Sequence, residues 1–263
     1  MGGWNQPSMI YVCIPSHNHS ATVGLVLWKV RQGFAGFPRE YQLLVGDDAS
    51  TDATAELLEP YTRALPMTLI RHEKRRGHAA TLDTLLREAL AQSDRPKRDC
   101  TITLPADFSI SPDSLPALVK GIESGADLVV AERRNGQSSR LWRWVLWSAP
   151  WLLRPGVTLP GVRDLLSGAC AVRLSTLKDS LRERPGTLLE SEGSCAYAEL
   201  LARTAVEARQ IAVVPASAMQ GWPDTTAAAA SRGPGPLGFA IELFRAGRRL
   251  RIPAPTAEIR RME

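Results

Sequence analysis

The chain has 263 residues, 44% of them apolar, and a formal net charge of +5, which is ample for the buried core of one large or two small α/β domains and excludes a disordered protein. Four cysteines without close spacing, Cys13, Cys100, Cys170 and Cys195, indicate neither a zinc site nor a disulfide framework and fit a reducing cytosol. No charged-then-apolar leader opens the chain and no apolar run nears the roughly 20 residues that span a bilayer, so an integral membrane protein is not expected, and the positive charge suits an anionic partner: nucleotide phosphate, lipid headgroup or nucleic acid.

Apolar runs at 9–14, 41–45, 67–70, 100–104 and 127–131 read as buried strands. Between them, 21–31, 52–64, 78–91 and 112–123 carry apolar residues at helical spacing, with Pro15, Asp52, Gly77 and Pro112 as boundary residues. That alternation predicts an α/β fold, a mainly parallel sheet with helices on both faces. The pattern changes after about residue 135: a Trp-rich segment at 141–153, a Gly/Asp/Ser turn region at 161–168, a helix near 196–206 and a last strand at 210–214. A Gly/Pro/Ala-rich loop at 219–237, a basic helix at 239–250 and a frayed tail complete the chain.

The apolar run ending in Leu44-Val45 stops at two carboxylates, Asp47 and Asp48, followed by the helix-capping types Ser50, Thr51 and Asp52. Taken alone, that pair could be a helix cap as readily as a ligand site. The acids would stand at the carboxyl end of a strand, the edge at which open α/β sheets bind ligands. Strand one ends in Ile14-Pro15-Ser16-His17-Asn18-His19 and strand four in Leu104-Pro105-Ala106-Asp107-Phe108-Ser109, on the same edge. Arg75-Arg76-Gly77 before a helix is suited to a diphosphate, through guanidinium charge and a helix N-terminus.

This ordered set resembles the inverting glycosyltransferases of the GT-A fold, family 2 type. The resemblance continues through Asp127-Leu128-Val129-Val130-Ala131-Glu132-Arg133 and Gly161-Val162-Arg163-Asp164-Leu165-Leu166-Ser167-Gly168, and there it is similar to the polyprenyl-phosphate sugar synthases of the dolichol-phosphate mannose synthase type. It implies a single GT-A domain in which residues 1–135 bind the nucleotide sugar, 136–218 form the acceptor side, and 219–263 supply a flexible loop, basic helix and tail. Pro15, His17, Asp47, Asp48, Arg76, Ala106 and Asp107 would hold a UDP- or GDP-linked sugar. Asp107 would also bind Mg²⁺ or Mn²⁺, Asp107, Asp164 and Arg133 would serve catalysis, and Ser167 would meet the acceptor; Arg140 and Arg143, in the Trp-rich segment, are expected to meet it as well. The implied reaction moves the sugar, with inversion, to a polyprenyl phosphate, whose oxygen is ionised near neutral pH and needs no strong general base.

Pro105 stands where the family's Asp-X-Asp has its first acid, and proline offers no side-chain oxygen to a cation. Three outcomes stay open: Asp107 holds the metal with help from phosphate and water, the enzyme is metal-independent, or the chain is a silent nucleotide-binding relative. A soluble saccharide or natural-product acceptor is the alternative acceptor, with Asp164 as its general base.

Four tryptophans, Trp142, Trp144, Trp147 and Trp151, cluster between Arg140 and Arg154. At about 100° per residue, a helix would place Trp144, Trp147 and Trp151 beside Arg140, Arg143 and Arg154, with Leu141, Val145, Ala149 and Leu152 opposite. That pattern suits a bilayer interface, and so a peripheral protein on the cytoplasmic face of the membrane with room for a membrane-anchored partner subunit. The opposing expectation is a buried helix with its tryptophans on the sheet and Pro150 interrupting it. His72 and His78 read as surface residues, and the arginines at 245, 248, 249 and 251 as a solvated or lipid-facing helix without the interleaved aromatics of a nucleic-acid site.

Overall fold

The computed structural model describes residues 8–133, 140–154, 156–183, 186–217 and 235–262, with backbone alone at 140–143 and 146. One eight-stranded sheet organises them, in the order β3-β2-β1-β4-β6-β5-β7-β8. The strands are β1 (Ile10–Ser16), β2 (Tyr41–Asp47), β3 (Met67–Arg71), β4 (Cys100–Thr103), β5 (Leu128–Arg133), β6 (Cys170–Arg173), β7 (Gln210–Ala216) and β8 (Glu258–Arg261). All neighbours pair in parallel except β6, which runs antiparallel to both β4 and β5.

Helices cover both faces, as the alternation predicts. The alternating side chains of β1 divide between two cores: Ile10, Val12 and Ile14 face α1 (Val23–Gly36) and α5 (Leu115–Glu123), while Tyr11 and Cys13 face α4 (His78–Gln92) and α8 (Ser194–Glu207). The span 52–64 forms two short helices, α2 (Thr54–Leu58) and α3 (Tyr61–Ala64), because Pro60 has no N–H with which to continue the first. The Trp-rich segment is α6 (Arg140–Leu153), which runs through Pro150 instead of ending there; Val145, Ala149 and Leu153 are buried on either side of it. Strand β6 and α7 (Leu174–Arg182) have no counterpart in the pattern of apolar runs.

Two corrections concern the C-terminal part. The basic helix, read as solvated or lipid-facing, is α9 (Pro236–Leu250), and it also has a buried side: Leu243, Gly247 and Leu250 pack inward, with α6 as its main neighbour. The expected frayed tail is an edge strand, since β8 pairs with β7 from Gln210↔Glu258 to Val213↔Arg261, and Arg261 adds an ion pair to Glu132 and a hydrogen bond to the Gly161 carbonyl. Backbone pairing carries this strand. Its one apolar side chain turned to the protein, Ile259, gives little periodicity to read. The four cysteines are buried and free, and no helix among the described residues is long and apolar enough to cross a membrane. The loop at 219–234 and the side chains of Arg140 and Arg143 lie outside the described residues.

Candidate active site at the carboxyl edge of the sheet

The polar ends of β1, β2 and β4 meet at one edge, and each turns through a non-glycine residue of positive φ: Asn18 (56°), Ala49 (52°) and Phe108 (60°). Such conformations cost on the order of 1 kcal/mol or more each and cluster where function overdetermines the backbone. Local bonds lock the turns together. Asn18 N donates to Ser50 Oγ (2.9 Å), Thr51 N to Asn18 Oδ1 (2.8 Å), Asp48 N to the Ser16 carbonyl (2.9 Å), and Asp52 accepts from Ser20 N and Thr54 N.

The two adjacent acids have separate roles. Asp47 is buried behind the edge, where Oδ1 accepts from Ser50 N and Oδ2 lies 3.2 Å from Arg71 Nε in an ion pair too oblique for a hydrogen bond. Asp48 reaches the cavity wall, but its carboxylate is occupied by Arg76 N (2.8 Å), Gly77 N (2.9 Å) and His72 Nδ1 (2.9 Å). Burial pushes its pKa up, yet these hydrogen bonds outweigh burial and hold the carboxyl below its ordinary range. Asp48 therefore fixes the turn between β3 and α4. His72 is correspondingly buried, not a surface residue.

A cavity of about 710 Å³ opens at this edge. Of the residues singled out from the sequence, Pro15, His17, Asp48, Ala106, Asp107, Arg133 and Ser167 line it. Asp47 does not, and Arg76 contributes its backbone N–H to Asp48 while the neighbouring Arg75 takes the place at the wall. Asp164 lies behind Arg133, in a bidentate pair at 2.7 and 3.1 Å that also accepts from Leu166 N. A carboxylate so engaged orients the guanidinium and is poorly placed to remove a proton.

Pro105 has a packing role. Gly168 (φ +83°) comes so close that a Cβ there would stand 2.7 Å from Pro105 Cγ and 3.2 Å from the Tyr197 ring. The Ser167-Gly168 turn thus closes on Pro105 and Tyr197, leaving Asp107 as the carboxylate of the β4 turn, where it accepts from Ser109 N (2.9 Å). Among the described residues no three His, Cys, Asp or Glu side chains are gathered closely enough to hold a metal ion. Asp107 can anchor a cation whose other ligands come from a bound diphosphate and water.

Sequence reading missed much of the remaining wall. His78 heads α4 with its imidazole edge-on to Tyr197 (5.0 Å between ring centres), and burial drives its pKa down to about 4 against the pull of Asp107. The segment 190–195 forms another side, held by buried Glu199, which accepts from Glu190 N and Ser191 N while paired with Arg203. The last side is α9, through Phe239, Glu242, Arg245, Ala246 and Arg249.

Helix α9 presents three sectors. Leu243, Gly247 and Leu250 face the core, Arg245 and Arg249 face the cavity, and Leu237, Ile241 and Phe244 are exposed, with Arg248 over the Phe244 ring. On α6, Trp144, Trp147 and Trp151 are 58%, 79% and 73% exposed, which rules out the buried-tryptophan arrangement. Aromatic rings so exposed on a folded surface mark an interaction face.

A sequence model of glycosyl transferase family 2 matches residues 11–181. The undecaprenyl-phosphate 4-deoxy-4-formamido-L-arabinose transferase of Photorhabdus laumondii is 30% identical over 141 residues, 52% of this chain and 40% of that protein. The dolichol-phosphate mannosyltransferase of Pyrococcus furiosus is 25% identical over 62% of this chain and 46% of its own length. The chain thus spans about half or less of these relatives. Among solved structures, the glucosyl-3-phosphoglycerate synthase of Mycobacterium tuberculosis superposes with a TM-score of 0.60 at 22% identity, covering 91% of this chain and 80% of that one. The same enzyme has been solved with Mn²⁺ and uridine diphosphate (TM-score 0.60, 23% identity, covering 91% of this chain and 78% of that one), and S. aureus TarS with UDP-GlcNAc (TM-score 0.56, 20% identity, covering 83% and 61%). These likenesses establish a GT-A fold.

Proposed function

We propose, from the premise that the chain belongs to glycosyl transferase family 2, that it moves a sugar from a UDP- or GDP-linked donor to a polyprenyl phosphate at the cytoplasmic surface of a membrane, with inversion. In this reading residues 1–135 form the donor half, 136–218 the acceptor side, and 219–263 the loop and helix that close the site. The observation that carries it is the three-sector geometry of α9: cationic side chains that line the cavity share the helix with an exposed apolar face, and α6, packed against α9, exposes Trp144, Trp147 and Trp151. A lipid phosphate matches that layout, with its charge on Arg245 and Arg249 and its chain along the apolar side. The named activities of the relatives, transfer to undecaprenyl and dolichol phosphates, agree with it.

The donor's nucleoside would occupy the wall at Pro15, His17 and Asp48, and its diphosphate would lie by Arg75, the head of α4 and Asp107. A divalent ion, when bound, would offset the charge growing on the departing diphosphate, with Asp107 as its protein anchor. The acceptor oxygen forms the new bond to the anomeric carbon from the face opposite the leaving diphosphate, whose bond to that carbon breaks. Because the phosphate is already ionised, no residue need take a proton, in keeping with Asp164 being engaged by Arg133. Labelled UDP- and GDP-sugars incubated with polyprenyl phosphate in anionic vesicles and Mn²⁺ test the proposal. Label should pass into the organic phase; label retained only in water-soluble products would refute it.

A further inference from the structure

Buried polar atoms without hydrogen-bond partners are rare and demand a reason. Five stand out among the described residues, and three of them, Ser16 Oγ, His78 Nε2 and Tyr197 Oη, belong to residues that line the cavity. His78 and Tyr197 form a pair, edge to face at 5.0 Å. Asp107 and both residues line the same cavity, the one proposed to hold the donor diphosphate. Tyr197 is held from behind by the close approach of Gly168, and its residue as a whole is only 7% exposed.

Each atom would be better hydrated in an open loop, and leaving such a group buried and unpaired is unfavourable. A neutral imidazole offers one donor and one acceptor, and a phenol offers both, which is the complement of sugar hydroxyl groups. From this geometry we infer that His78 and Tyr197 form the subsite that reads the hydroxyls of the transferred sugar. The inference rests on the donor-site reading above and adds the residues that select the sugar.

The test compares bare diphosphates with sugar nucleotides by titration calorimetry, using UDP, UDP-glucose, UDP-N-acetylglucosamine, GDP and GDP-mannose. Wild type should bind at least one sugar nucleotide more tightly than its bare diphosphate. Tyr197→Phe should weaken that complex by roughly tenfold and leave the bare diphosphate unchanged, while the melting temperature of the empty protein stays equal or rises, because an unpaired hydroxyl has been removed. His78→Phe, which keeps a ring against Tyr197, should give the same selective loss. Equal effects on both ligand classes, no effect on either, or a wild type that prefers no sugar nucleotide would overturn the subsite while leaving nucleotide binding intact. Absence of all nucleotide binding would instead remove the donor-site reading, and the subsite with it.

Discussion

Helix α9 packs through Gly247 on the end of α6 and on Gly156 in the turn that follows it, and the contact is close enough that one methyl group should undo it. A Cβ on Gly156 would lie 1.9 Å from the Gly247 carbonyl oxygen and 2.6 Å from Arg251 N. Both obstacles are backbone atoms, so α9 as a whole must move away. Doing so exposes Leu243 and Leu250, now 0% and 5% accessible, and breaks the 2.7 Å bond from Ile252 N to the Gly156 carbonyl. At about 1.5–3 kcal/mol per fully buried leucine, Gly156→Ala should cost α9 about 3–6 kcal/mol of docking energy, an upper bound because the helix can settle partway. Hydrogen exchange read by mass spectrometry should then show faster exchange over 236–250, while peptides of β1, β2 and β4 keep their protection. Binding of bare UDP or GDP should persist, and transfer to lipid phosphate should fall. Wild-type protection of α9 in the variant would refute the claim that this crossing holds the cavity wall in place.

Three other outcomes are expected. Glu199→Gln should lower stability by about 3–5 kcal/mol, read by denaturant melts, because it leaves the buried Arg203 charge without its partner carboxylate and loosens the segment at 190–191; a change of a few tenths would contradict that role. His78 should make the protein acid-sensitive. Its folded pKa of about 4 lies below the unfolded 6.5, so the unfolded chain binds more protons between these values. Stability should therefore be full above pH 6.5 and fall toward pH 4, by at most about 3 kcal/mol. In His78→Phe that part of the pH profile should flatten, and an unchanged slope would assign the acid sensitivity to other groups. Replacing Trp144, Trp147 and Trp151 together by alanine should abolish co-sedimentation with anionic vesicles while leaving the melting temperature close to wild type, as these rings are mostly exposed; equal sedimentation would remove the membrane-facing role of α6.

The strands of the donor half were legible because each is a short, mainly apolar run closed by a polar turn, the imprint that parallel strands of a covered sheet leave. Strand β6 was not, since four residues, Cys170–Arg173, wedged antiparallel between β4 and β5, carry no period of their own. The amphipathic wheel placed Trp144, Trp147 and Trp151 of α6 together on one face, and all three are exposed there, because side-chain direction in a helix follows from spacing alone. The same reasoning under-read α9, where the arginines divide between cavity and solvent according to what packs opposite them. His72 and His78 were invisible for a related reason: what buries them is Asp48 and Tyr197, partners set by the fold and not by local sequence. Pro105 could be read as a missing acid, but its packing against Gly168 and Tyr197 needed three dimensions.

The most direct measurement compares two acceptors that differ only in charge and nucleophile, polyprenyl phosphate and the parent polyprenol, with one donor and identical vesicles. With Arg245 and Arg249 lining the cavity and Asp164 engaged by Arg133, transfer should occur to the phosphate and be undetectable to the alcohol, which would need a base to remove its proton. Equal transfer to the alcohol, or transfer only to a soluble saccharide, would contradict the account.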